Sequence, residues 1–220
     1  MSEFECENKP LRNIRVTGTA KVSAEPDLAI ITFNISSKAT QYKSCMDILY
    51  NRTQSLREEL VSVGLGRAEI KTTRFNVDTN YEYDKQMDKR YFRGYKATHD
   101  LKVEFPFTPE YLNQVLNVLS YTETQTSFKI SFRISDPEPL RQQALANAIK
   151  NCKEKAEILT QAAGVSLEEI ISINYSWDEV YIRPARELCE VESLASEAAY
   201  DITPEDIDIS DTVTINWSIK

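Results

Sequence analysis

FNVDTNYEYDKQMDKRYFRGYKATHDLKVEF, residues 75–105, decides the fold class. Phe75, Val77, Thr79, Tyr81 and Tyr83 recur at every second position, and Tyr95, Ala97, His99, Leu101, Val103 and Phe105 do so again. A period of two places such residues on one face of a strand. Between the two runs, residues 84–90 are dominated by charge and read as the tip of a long antiparallel hairpin.

Upstream the period changes. Tyr42, Cys45, Met46, Leu49, Thr53, Leu56, Leu60 and Val63 recur at three and four residues, one stripe along a helix with Thr40 as its cap and Gly64 as its stop. Before it, Ile14, Val16, Gly18, Ala20 and Val22 alternate, as do Ala29, Ile31, Phe33 and Ile35. The break at Glu25-Pro26-Asp27 suggests that these two strands form a hairpin. Downstream, a short helix from Pro109 carries Leu112, Val115, Leu116 and Leu119, and a strand carries Phe128, Ile130, Phe132 and Ile134. Asp136 then caps a helix whose first turn tolerates Pro137 and Pro139, because N–H groups there have no intrahelical acceptor. Its stripe of Leu140, Ala144, Ala148, Cys152, Ala156, Leu159 and Ala163 is small, so close packing is expected before Gly164 ends it. Ile171, Ile173, Tyr175 and Trp177 form a further strand, and Val213, Ile215, Trp217 and Ile219 close the chain.

The order β-β-α-β-β followed by α-β-α-β-β implies an α+β fold, antiparallel sheets with helices packed on one face. Expected divisions are a flexible tail at 1–11, a first subdomain at 12–105 and a second at 106–220, the last with an acidic excursion at 184–211 and a closing strand at 212–220.

Thirty-four acids against 26 bases give a net charge of −8, which repels phosphate backbones and anionic lipid. A single histidine excludes His-rich metal sites. The cysteines at 6, 45, 152 and 189 form no C-x-x-C pair, so a zinc knuckle or redox pair is not expected. The N-terminal residues show no export signal and no run is long enough to span a membrane, so a cytoplasmic location is expected.

Several patterns, taken in order and spacing, resemble the SIMPL-domain proteins. They are Ile14-x-Val16-x-Gly18, Glu25-Pro26-Asp27-x-Ala29, Gly64-Leu65 with Glu69-Ile70-x-Thr72, Tyr81-x-Tyr83, Gly94-Tyr95-x-Ala97, Lys155-Ala156-Glu157 and Ala162-Ala163-Gly164-Val165. The resemblance covers about residues 12–220 and implies an α+β fold of two closely associated subdomains. Members include immunogenic proteins of the bacterial periplasm or outer membrane, one of which forms a ring-like oligomer. Others are proteins linked to oxidative-stress defence and an animal adaptor of innate-immune kinase signalling. No established catalytic residue is implied. Most bacterial relatives carry an export signal, and a small polar residue is more usual where this chain has His99.

The residues themselves offer no catalytic constellation. A lone imidazole at His99, on the apolar face of its strand, reads as a hydrogen-bonded core residue, with a ligand or acid–base role as the alternative. Cys45 and Cys152 lie in helix stripes and read as small apolar residues, while Cys6 and Cys189 lie in segments where oxidation is conceivable. Asp206-x-Asp208-x-x-Asp211 lacks the glycine and terminal Glu of an EF-hand loop. No phosphate-cradling glycine motif occurs, so no metal and no cofactor is expected. The hairpin interleaves Lys85, Lys89, Arg90, Arg93 and Lys96 with aromatic rings, but Asp84, Asp88 and Asp100 dilute that charge and nucleic acid is not expected. Tyr83, Tyr91, Phe92, Arg93 and Tyr95 are instead the candidate interface residues, because exposed tyrosine and arginine favour protein contacts. The reading is a non-enzymatic module that forms homo-oligomers or binds an unknown protein, linked to stress response or signalling. The alternative is a small-ligand binder or enzyme using a cleft between the subdomains.

Overall fold

A computed structural model describes residues 12–84, 88–120, 126–175, 181–183 and 201–220. The elements are β1 (Asn13–Ala24), β2 (Leu28–Ala39), α1 (Tyr42–Ser62), β3 (Lys71–Asp84), β4 (Lys89–Pro106), α2 (Pro109–Ser120), β5 (Thr126–Arg133), α3 (Glu138–Ala163), β6 (Leu167–Tyr175), β7 (Tyr181–Arg183) and β8 (Ile207–Ile219). The fold is α+β, with two antiparallel four-stranded sheets among the described residues.

The compact units are interleaved along the chain rather than divided at residue 105. One contains β1, α3, β6, β7 and β8, the other β2 to β5 with α1 and α2. The cause is that β1 and β2 do not form the expected hairpin. β2 is already paired on both edges, with β4 and with β5 (Ile31 faces Val103 on one side and Ile130 on the other). β1 instead pairs with β8, Val16 opposite Ile215. Asp27 fixes the connector just before the start of β2, since its N–H donates to Arg133 O at 3.1 Å and its carboxylate accepts from the N–H and hydroxyl of Ser135.

In the first unit, β8 is central, with β1 on one edge and β6 and β7 on the other. Val16, Val213, Ile215 and Trp217 pack against Ala148, Cys152 and Ala156 of α3. Gly18 is where the helix touches the strand: a Cβ there would stand 2.2 Å from Ala148 O and 2.6 Å from Cys152 Cβ. Cys152 also donates its thiol to Val16 O at 3.1 Å. The buried stripe ends on Thr160, not on Leu159 and Ala163 as the sequence suggests, because burial advances in steps of four and so runs obliquely along the helix. Asp136 accepts the Glu138 N–H at 3.1 Å, so its side chain caps α3 although the first helical residue is Glu138. β8 begins at Ile207, inside the expected acidic excursion, whose residues 184–200 lie outside the described ones. The early part of that strand was obscured because Asp211, a charged residue, occupies a buried position in the alternation.

In the second unit the sheet order is β3-β4-β2-β5. Its core joins Ala29, Ile31, Phe33 and Ile35 of β2 and Leu101, Val103 and Phe105 of β4 to Leu49, Leu56 and Leu60 of α1 and Leu112 and Val115 of α2. Gln41, not Thr40, precedes α1 and makes no side-chain cap bond. The helix stops as expected at Gly64, with Gly64 N–H on Val61 O and Leu65 N–H on Leu60 O. Among the described residues no helix is long and apolar enough to cross a membrane.

Candidate functional site

The β3–β4 hairpin carries all of the candidate interface residues, and its geometry sorts them into two faces. Cross-strand partners share a face. Tyr81 opposite Phe92 and Tyr83 opposite Arg90 therefore stand on one side, and Glu82 opposite Tyr91 on the other. The register shifts between Asn80 and Tyr81, where Arg93 is the extra residue on β4. That bulge reverses the alternation and brings Phe92 onto the same face as Tyr95.

The result is a continuous row of rings. Tyr81 meets Phe92 at 5.6 Å between centroids, Phe92 meets Tyr95 at 5.5 Å, and Tyr95 meets Tyr42 of α1 at 5.6 Å, all close to edge-on. Tyr81 and Phe92 remain 55% and 49% exposed and Tyr42 is 53% exposed, so the row is open at both ends, with Tyr95 its half-buried middle member. Gly94 makes this possible. Its φ is +116°, and a Cβ would stand 2.2 Å from Ala39 O, so β4 passes the end of β2 in backbone contact. Arg93 turns to the reverse face and pairs with Glu82 at 2.7 Å, both side chains being well exposed. Tyr83 donates its hydroxyl to Asp88, a bond that holds its pKa above the ordinary tyrosine value, with slight burial adding to the effect.

Phe92 and Tyr95 are thus brought together, Tyr83 lies further along the same face, and Tyr91 and Arg93 are separated from them. Sequence reasoning missed Tyr42 and Tyr81 as members of the row. The signal for them was Gly94 inside a strand pattern, which marks a bulge or a close backbone approach.

His99 occupies the inner part of β4. Its Nδ1 lies 3.3 Å from Thr53 Oγ1 of α1 and its Nε2 2.9 Å from Thr72 Oγ1 of β3, with Phe75 edge-on at 5.2 Å. Burial lowers its pKa below the ordinary value and the positive charge of Arg57 adds to this, while Asp100 pulls the other way. Both nitrogens are therefore engaged in tying α1 to β3. Cys45 is buried beside Ser37, its Sγ 3.3 Å from the Ser37 hydroxyl. Cys6 and Cys189 lie outside the described residues.

The acidic positions are divided as well. Asp208 takes Lys21 Nζ at 2.6 Å and the Ser23 hydroxyl at 2.7 Å, whereas Asp211 is buried and takes the Tyr175 hydroxyl at 3.2 Å. Odd and even positions of β8 point to opposite faces, so these carboxylates do not converge. Burial and the Asp211 carboxylate raise the Tyr175 pKa. Among the described residues no group of three His, Cys, Asp or Glu side chains is placed to hold a metal ion. An open depression of about 360 Å³ lies between Gly64-Leu65, Glu69, Glu104-Phe105-Pro106, Thr108 and Tyr111. Glu69 accepts the Gly66 N–H at 2.8 Å and Glu104 pairs with Lys102 at 2.9 Å, so both rim carboxylates are already engaged.

Three relatives frame this geometry. The uncharacterized protein YggE of Edwardsiella ictaluri is 24% identical over 210 residues, 94% of this chain and 87% of that protein. The 26 kDa periplasmic immunogenic protein of Brucella melitensis is 24% identical over 175 residues, 78% of this chain and 69% of the relative. YggE of Escherichia coli K12 is 20% identical over 208 residues, 94% and 83% of the two chains. None of these names is that of an enzyme. The sequence also matches, over residues 14–217, the family described as SIMPL, a protein of unknown function. That match takes in most of both compact units, and the chain belongs to the SIMPL family.

Proposed function

We propose that the chain is a non-enzymatic binding module that associates with protein, a second copy of itself first of all, through the open ring row of the β3–β4 hairpin. The observation that carries this reading is the row itself: Tyr81, Phe92 and Tyr42 all stay about half exposed, and half-buried Tyr95 touches both Phe92 and Tyr42, joining the hairpin rings to α1. Ordered aromatic side chains lose little entropy on contact and bring large apolar area, which is why they are enriched in interfaces. The alternative of a small-ligand or catalytic site has the depression beside Tyr111 as its support, and the engaged state of Glu69 and Glu104 weighs against it.

Sedimentation velocity on the intact chain tests the reading. Mass should rise with concentration into the high micromolar range, and Tyr81→Ser with Phe92→Ser should weaken association at least tenfold while leaving the thermal transition in place. Tyr91→Ser with Arg93→Ser, on the reverse face, should have the smaller effect. A monomer throughout, or equal association in the Tyr81/Phe92 variant, contradicts it. Any stress or signalling role follows indirectly from what the module binds. We place its work in the cytoplasm on the dispersed cysteines, two of them buried and free, although one relative's name is periplasmic. Recovery of the native protein in a periplasmic fraction would overturn that placement.

A further inference from the structure

We infer that β3 pairs edge to edge with β3 of a second copy, antiparallel, about a two-fold axis at Thr79. This rests on the hairpin as a self-association surface and gives that surface a strand and a register. β3 is the terminal strand of its sheet, with β4 on one side and no described strand pairing with its other edge. Its residues from Lys71 to Glu82 are exposed except Val77 and Asn80, which are half-buried. A long open edge presents a row of backbone donors and acceptors that a second strand satisfies.

The regular part of that edge runs from Arg74 to Asp84. Thr73 is the extra residue of the first register shift, and the second shift places its extra residue, Arg93, on β4, so β3 alternates without interruption beyond Arg74. A two-fold axis normal to the sheet keeps like faces together. With the axis at Thr79, Phe75 stands opposite Tyr83 of the second copy, Val77 opposite Tyr81, and Thr79 opposite itself on the aromatic face. On the other face Asn76 stands opposite Glu82 and Asp78 opposite Asn80. Aromatic–aromatic, aromatic–β-branched and threonine–threonine pairs are cross-strand classes that stabilise a sheet. The adjacent registers are worse. An axis at Asp78 sets that carboxylate against itself, and an axis at Asn80 sets Asp78 against Glu82 twice. An axis at Val77 confines the regular ladder to residues 74–80 and leaves Tyr81 and Tyr83 opposite residues at or before the bulge. The chosen register uses the whole regular edge, roughly 35 Å of strand.

Cysteine cross-linking in a Cys6→Ser, Cys189→Ser background tests the register, since Cys45 and Cys152 are buried. Thr79→Cys should give a disulfide-linked dimer under mild oxidation. Asn76→Cys alone should give at least tenfold less, because the two copies of that residue would lie about 20 Å apart. Asn76→Cys mixed with Glu82→Cys should cross-link as well as Thr79→Cys does. Association seen by sedimentation without these cross-links, or cross-linking of Asn76→Cys alone as fast as Thr79→Cys, overturns the β3 register and leaves the wider reading standing. A monomeric chain overturns both.

Discussion

At the residue scale two glycines and one histidine carry distinct consequences. Gly94 combines a φ of +116° with a backbone approach that leaves no room for a Cβ. Gly94→Ala should therefore destabilise the protein by about 3 kcal/mol, from left-handed strain together with overpacking, read by urea unfolding. Gly18→Ala should cost a similar amount for another reason, because the helix α3 backbone stands in the way of the new Cβ while the Gly18 backbone itself is unstrained. For His99 the folded pKa lies below the ordinary value of about 6.5, so the folded state binds fewer protons than the unfolded chain. Its contribution to stability is complete above about pH 6.5 and declines as pH falls through the window between that value and the lowered folded pKa. Unfolding midpoints should thus fall between pH 7.5 and pH 5 in the native protein, and less so in His99→Gln. An equal fall in both would assign the acid sensitivity to other groups.

At the element scale, what could be read from the sequence was each element's own period. The β3–β4 pair, the α1 stripe with its Gly64 stop and the alanine stripe of α3 announced themselves because alternation and the three-to-four spacing are local properties. Partner choice was not local. The pattern of Val16, Gly18 and Ala20 is the same whether β1 faces β2 or β8, and only the full pairing of β2 on both edges excludes the hairpin. The candidate interface was half legible for the same kind of reason: the aromatic residues were visible, but the extra residue at Arg93 changed which of them share a face. Packing on the element scale can be checked at Leu56, which is fully buried in the second unit, where Leu56→Ala should cost about 2–5 kcal/mol. A cost below about 1 kcal/mol would mean that α1 is not seated on its sheet as described.

At the scale of the whole molecule, the chain starts one unit, builds the other and returns to complete the first, so β1 must wait for β8 before its edge is paired. Such non-local pairing slows folding. It also explains why a linear division of the sequence into two halves misplaces the boundary. The net charge of −8 opposes self-association at long range, and salt screens it. Association should therefore tighten between low and moderate ionic strength, as measured by sedimentation. The most direct measurement of the hairpin's role is backbone hydrogen exchange at low and at high protein concentration. Residues 74–84 should become slower to exchange as concentration rises, while the body of α3 keeps its rate. Exchange of that segment independent of concentration, in a sample that nevertheless associates, would contradict the assignment of the hairpin as the contact surface.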